Sequence, residues 1–354
     1  KIMAYTTINK STDYFNTTLW SGNNTSPRTI TTNVDNDLVW VKNRSNAYSH
    51  YLLDSVRGVG TSSDGKQLRS DSNSGNITAT ANGYISGLSN TGFTLTAGSV
   101  DFERLNANGM TYCAWTWKGN GAGSSNSDGD ITSTVSADTT AGFSIVKFTA
   151  NGTNNGTIGH GLGAAPKIIF YKRTDGTGDW YVVYKFVDGS LDFLKLNAMD
   201  AKQDLTLGTY GFSTSTTITN LGFVNSQEYI AYCFAEKQGY SKIGNYTGNG
   251  DTSGTFVYTG FKPAMIIAKN TSATQDWVIK DNKRPGFNQI NDVLYPNGNY
   301  VEGHGADVDF LSNGFKMRST ANNINADGQV FIYMAFAEEP LVANVGSGVP
   351  ATAR

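Results

Sequence analysis

"YCAWTW" at Tyr112–Trp117, "YIAYCF" at Tyr229–Phe234 and "FIYMAF" at Phe331–Phe336 are one phrase written three times. The repetition extends outward from them in a fixed order. Before each phrase stands a Gly-Phe step: Gly92-Phe93, Gly211-Phe212 and Gly314-Phe315. Before that, an apolar tetrad ends in Lys: Leu38-Val-Trp-Val before Lys42, Ile168-Ile-Phe-Tyr before Lys172, Met265-Ile-Ile-Ala before Lys269. An aromatic residue opens each copy, with Trp20 lying 22 positions before Lys42, Phe148 lying 24 before Lys172 and Tyr246 lying 23 before Lys269. Such self-similarity decides the number of modules before any local pattern is read. A period of roughly 100 residues is far longer than a solenoid unit, so each copy is long enough to hold its own core.

The closing phrase alternates with the period of two of a strand. Cys113, Trp115 and Trp117 align with Ile230, Tyr232 and Phe234, and with Ile332, Met334 and Phe336. All are large or apolar, which makes this the core face. The other face, Tyr112, Ala114, Thr116 and their equivalents, is smaller on average and offers room for a second layer or a neighbouring module. The tetrads do not alternate, as expected of central strands covered on both sides. Pro166 and Pro263 are read as lying just before these strands, where a missing donor is tolerated. Turn chemistry such as "SGNN" at Ser21, "TGNG" at Thr247 and "SNG" at Ser312 fills the gaps with residues that accept positive φ.

These signals predict an all-β chain of tandem antiparallel β-sandwich modules, jelly-roll or lectin-like, in three related copies. The expected boundaries are an N-terminal arm at 1–13, modules at 14–118, 142–236 and 237–340, and a C-terminal tail at 341–354. The Gly/Ser-rich stretch 119–141 is expected to be a flexible linker that leaves the first module on a tether. Only "KQG" separates the second module from the third, which predicts a rigid pair.

Composition narrows the function. Of 354 residues, 38% are hydrophobic, 12% aromatic and 16% charged, with 40 Gly, a mixture poor in helix formers. A net charge of −2 offers no basic stripe for phosphates, so nucleic acid is not an expected partner. The apolar runs are too short for a membrane span, and "KIMAYTTINKSTDYF" has no apolar signal segment. Cys113 and Cys233 fall in different modules and on opposite strand faces, which predicts two buried free thiols. His50, His160 and His304 lie one per module, the latter two in "GHG" steps expected to be exposed turns, and no spacing suits a zinc site. There is no "GxSxG" elbow and no P-loop, and "SDGD" at Ser127 lacks the later Glu of a calcium loop. No catalytic residue, metal or cofactor is expected. Asn-x-Ser/Thr sequons such as Asn16 and Asn76 follow from the composition.

Two polar constellations recur at fixed offsets from the tetrad Lys. Twelve positions on stand Asp54 and Asp281, and fifteen on Arg57 and Arg284, where the second copy has Tyr184 and Val187. Lys42, Asp54 and Arg57, with Lys269, Asp281 and Arg284, read either as a charged rim for a sugar or carboxylate or as ion pairs that hold a loop. Internal repetition favours the second reading. Eight positions on stand His50, Trp180 and Trp277, the last two preceded by Asp179 and Asp276. An Asp-Trp pair suits a carbohydrate platform if exposed, with sugar faces stacking on the ring; core packing is the alternative.

Nearly the whole chain, from about Met3 to Arg354, resembles an uncharacterised repeat domain of virion-associated, tail-fibre-like proteins of marine bacteriophages, those of cyanobacteria and other oceanic bacteria above all. The phrases that carry the resemblance include "YFNTTLWSGNN", "DLVWVKNRSNAYSHYLLDSVRGVG", "DITSTVSADTTAGFSIVKF", "GHGLGAAPKIIFYKR", "YIAYCFAE", "GYSKIGNYTGNG", "FVYTGFKPAMIIAKN", "DFLSNGFKMRS" and "YMAFAEEP". "MAYTTI" at Met3 and "PATAR" resemble the family's start and end, which implies a nearly entire protein with Lys1-Ile2 upstream. The resemblance implies a non-enzymatic virion structural protein, a tail fibre, spike or surface appendage that displays sandwiches for host attachment. Other virion proteins are its implied partners, with a homo-oligomer, a trimer by analogy with phage fibres, and a host surface glycan. A capsid decoration or cement protein anchored by its N-terminal arm, or a lectin-like carbohydrate-binding module, is the alternative. It implies no catalytic residue.

Overall fold

The computed structural model describes residues 6–185, 191–205 and 212–340. Gly211 and Val187, the tail at 341–354 and the first five residues lie outside that range. The regular secondary structure of the described residues is almost wholly strands in antiparallel sheets, joined by turns and loops. Among the described residues no helix is long and apolar enough to cross a membrane.

Each copy builds the same inner sheet from four strands. In the first module the opening strand Phe15–Ser21 pairs with the closing strand Thr111–Trp117, which pairs with the tetrad strand Leu38–Asn43, which pairs with the hairpin strand Tyr51–Asp54. The third repeats this order with Ser241–Thr247, Val330–Pro340, Phe261–Asn270 and Val278–Asp281. The second does so with Phe143–Thr149, Glu228–Phe234, Ile168–Arg173 and Trp180–Lys185. An outer sheet covers each inner one: three-stranded in the first module, two-stranded in the second and four-stranded in the third. The prolines differ from expectation at one point. Pro263 is the third residue of its strand, at a register shift, where a bulge removes the need for its missing N–H.

The tetrads alternate after all, between two cores. Val39 and Val41 face the first module's own sandwich, with Tyr51, Phe93, Tyr112 and Ala114. Leu38 and Trp40 face the opposite way, into a core shared by all three modules. The face predicted to be each module's core, Cys113, Trp115, Trp117 and equivalents, is therefore the face on which modules dock, and the smaller face fills each sandwich. Where the closing phrases end, Trp117, Phe234 and Phe336 meet in a triangle with ring centroids 6.2, 5.6 and 5.9 Å apart. This triangle marks a pseudo-threefold axis. Burial of a Phe-sized side chain contributes about 1.5–3 kcal/mol, against about 1 kcal/mol net for a hydrogen bond. Apolar burial thus holds the modules together, and polar contacts fix how they fit.

The tether expected at 119–141 is a structured element of the second module. Ser133–Asp138 pairs with Phe143–Thr149, and Ser124–Asn126 pairs with Ser133–Asp138, and these two, with Leu191–Lys195 and Gln203–Asp204 on the opposite edge, extend that inner sheet to eight strands. The Gly/Ser-rich start is fastened too, because the Gly119 and Gly121 N–H groups donate to the Asp37 carboxylate at 2.8 and 3.0 Å. Alternation within "STVSAD" lets Val135 reach the sandwich core of the second module, which a purely compositional reading of the stretch overlooks. The described part of the N-terminal arm is likewise built in: Ile8 belongs to the shared core. At Gly22 and Gly248 the backbone passes so near Ala107 and Ala326 that a Cβ would lie 1.9 and 2.3 Å from their carbonyl oxygens. Glycine is required at both turns.

Candidate functional site

The charged set of the first and third copies lies between modules rather than on a rim. Asp54 and Arg57 pair at 2.6 Å, as do Asp281 and Arg284, and the third-module pair is wholly sealed from solvent. Each Asp also accepts the backbone N–H of its Arg, at 2.8 and 3.0 Å, and so pins the turn that follows the hairpin strand. The remaining carboxylate capacity reaches the next module. Tyr232 of the second module donates to Asp54 Oδ2 at 2.8 Å, and Trp115 of the first donates to Asp281 Oδ2 at 3.1 Å. Tyr232, Trp115 and Met334 are the same position of the closing phrase. Met334 has no donor to offer, and the residue at the Asp position of the second module, where the third faces it, is Tyr184, whose hydroxyl lies toward the third module's Asn245. Donor and acceptor are lost together, which explains why the set survives in two copies of three.

The Trp positions close a second ring. Trp180 and Trp277 are buried, with 0% and 1% exposure, so neither is a platform for sugars. Trp180 Nε1 donates to the Arg69 carbonyl of the first module at 2.8 Å, and Trp277 Nε1 to the Lys195 carbonyl of the second at 2.9 Å. His50 completes the circuit. Its Nδ1 accepts from Trp40 Nε1 at 2.8 Å, so the proton sits on Nε2, which donates to the Tyr295 carbonyl of the third module at 3.0 Å. Burial, then Lys42, hold His50 well below the usual histidine range and keep that tautomer neutral. The preceding acids are spent locally. Asn197 bridges Asp179 and the Trp180 N–H, and Asn297 bridges Asp276 and the Trp277 N–H.

Lys42 and Lys269 are buried with their ammonium groups on loop carbonyls. Lys42 donates to Asn43 O at 2.7 Å; Lys269 donates to Asn270 O at 2.8 Å and across the interface to Met199 O at 3.0 Å. Burial pushes Lys42 and Lys269 down to about 8. All ten candidate residues are thereby structural in position: six make the interface pairs or cap the loops beside them, and the Asp-Trp pairs orient the ring of indoles. His160 also departs from expectation. It is buried and bonded to Thr214 O and the Leu162 N–H, because its "GHG" step folds under the sandwich. His304, 74% exposed at its side chain, does lie on the surface. Cys113 and Cys233 are buried free thiols.

Sequence reading singled out the acceptors of the charged pairs, Asp54 and Asp281, but missed those of the ring formed by His50, Trp180 and Trp277. Arg69, Lys195 and Tyr295 serve through backbone carbonyls, which no residue type announces. The concerted change at Tyr184 and Met334 was the one legible signal. What remains open to a ligand lies at the periphery. A cleft of about 360 Å³ on the second module is walled by Tyr181, Phe193, Phe223 and Tyr229, with Arg173 and Asp179 at its polar end. Among the described residues no group of His, Cys, Asp and Glu is placed to hold a metal ion.

No curated protein and no solved structure matches this chain. The family model described as "Domain of unknown function (DUF7483)" matches residues 10–340, and the chain belongs to that family.

Proposed function

We propose that the chain is a non-enzymatic structural protein of a phage virion, a tail fibre, spike or surface appendage that displays three sandwiches for adhesion to a host surface. One observation supports this reading above the others: the repeated charged and aromatic residues are consumed in locking the modules around one core, and the copies differ in their outer sheets and loops. A rigid body with variable edges suits display. The phage assignment rests on the sequence phrases quoted above. Cryo-electron microscopy of intact particles tests it: density for this chain on a tail or surface appendage is the expected result. Density confined to the capsid shell would instead favour the decoration or cement role, and its absence from particles would overturn both.

A lectin-like activity is a second reading, favoured by the aromatic cleft of the second module. Sugars stack on aromatic faces while carboxylate and guanidinium groups meet their hydroxyls. Tyr181→Ala should abolish glycan-array binding by the folded protein; unchanged binding, or none by the native chain, would remove the reading.

A further inference from the structure

One cluster in the first module stays outside both rings. Arg69 lends its carbonyl to Trp180, but its guanidinium makes no hydrogen bond or ion pair among the described residues, and its Nε is buried without a partner. Arg104 stands beside it. Its one partner is Gln67 Oε1, at 3.2 Å from Nη1, and its own Nε is buried and unpartnered. Gln67 is 1% exposed, and because its oxygen accepts from Arg104, its Nε2 is left as a third buried donor without an acceptor. Arg104 thus sits on a buried amide, near enough to Arg69 for the two charges to oppose each other, and three buried donors of the cluster, both Nε atoms and Gln67 Nε2, have no acceptor.

Nearby acids do not supply the missing acceptor. Asp101 is occupied by the Asn82 side chain and the Glu103 N–H. Asp71 lies outside ion-pair distance of either arginine, and its own Oδ1 is buried and unpartnered. The Tyr51 hydroxyl already donates to Gly65 O. Burial, and next to it the opposing arginine, hold Arg69 below its ordinary range; burial does the same for Arg104. Buried donors left unmet carry their full desolvation cost, and a planar or tetrahedral oxyanion bridging two guanidinium forks would relieve it. Both arginines remain partly exposed, so the cluster is reachable from solvent. Lys195 and Tyr295 hold the Arg69 position in the other modules, which makes this a feature of the first alone.

We propose that Gln67, Arg69 and Arg104 form a binding site for a carboxylate- or sulfate-type oxyanion. The site goes beyond the adhesion reading; only an acidic saccharide as the source of the anion rests on it. The test is thermal unfolding of the full chain in sodium sulfate against sodium chloride at matched ionic strength. At about 10 mM, sulfate acts little by exclusion, and a bound ion should raise the midpoint by about 2 °C relative to chloride. Arg69→Gln and Arg104→Gln should each lose that difference. Equal responses to the two salts in the native protein, or an undiminished sulfate-specific rise in both variants, would overturn the site. If a variant fails to fold, arginine Nε–H resonances of the native protein carry the test: two should move on sulfate titration, and no movement overturns the proposal. Retention on heparin beads at matched ionic strength then separates the sources. Retention lost in Arg69→Gln supports a sulfated saccharide; a sulfate-specific rise without retention upholds a free-ion site, and the particle-level test of adhesion stands apart.

Discussion

Asp281 and Arg284 show why a buried charge is tolerated here: each carboxylate oxygen and most guanidinium donors are met, by Trp115, the Ile279 carbonyl and Glu302 as well as by each other. Arg284→Met strands the carboxylate and should cost about 3–5 kcal/mol, whereas Arg284→Met with Asp281→Leu should recover most of that; chemical denaturation of both variants checks it. The buried lysines give a pH signature. Burial pushes Lys172 and Lys280 down to about 7 and Lys42 and Lys269 to about 8. Their unfolded forms hold the proton to about pH 10.4, so above pH 7 the unfolded state binds more protons and stability rises with pH. Cys113 and Cys233, pushed up to about 12 by burial, oppose this where unfolded thiols ionise, from about pH 8.5. Four lysines outweigh two thiols, so the melting temperature should climb from pH 7, less steeply above about 8.5, and level off only as the unfolded lysines lose their protons near pH 10.4, and Lys280→Met should reduce the slope. On the acid side His50, kept neutral in the fold, should withdraw stability as pH falls below about 6.5.

At the scale of single elements, the closing strand was the most legible part of the sequence, and also the most easily misassigned. Its alternation separated two faces correctly, yet both faces are buried, and nothing in the period of two says which core each one enters. Trp115 and Tyr232 looked like filling and turned out to be interface donors. The stretch 119–141 shows the opposite failure: its composition concealed six residues of alternating strand. Ser133–Asp138 lies against Phe143–Thr149 over its full length, so limited proteolysis of the native chain should spare residues 124–138. Replacing that stretch by an equal length of Gly/Ser should lower the melting temperature and open the Phe143–Thr149 edge to cleavage; an unchanged melting temperature would mean that the edge strands are dispensable.

For the whole molecule, the internal repeats made three sandwiches predictable but not their arrangement, because beads on a string and wedges around an axis leave the same trace in sequence. The shared core draws Trp117, Phe234 and Phe336 from three modules, so removing one module exposes the docking faces of the other two. Unfolding should follow a single transition by calorimetry, with residues 14–118 alone failing to fold as a monomer; separate transitions for the first module and the rest would contradict this. The ring of His50, Trp180 and Trp277 has a last consequence. Each module grips one neighbour and is gripped by the other, always in the same rotational sense, which is the head-to-tail pattern of a closed cyclic oligomer. The chain has the form of a trimer whose subunits have been joined end to end, and a gene for a single averaged module, freed of its connections, is expected to yield a protein that assembles in threes.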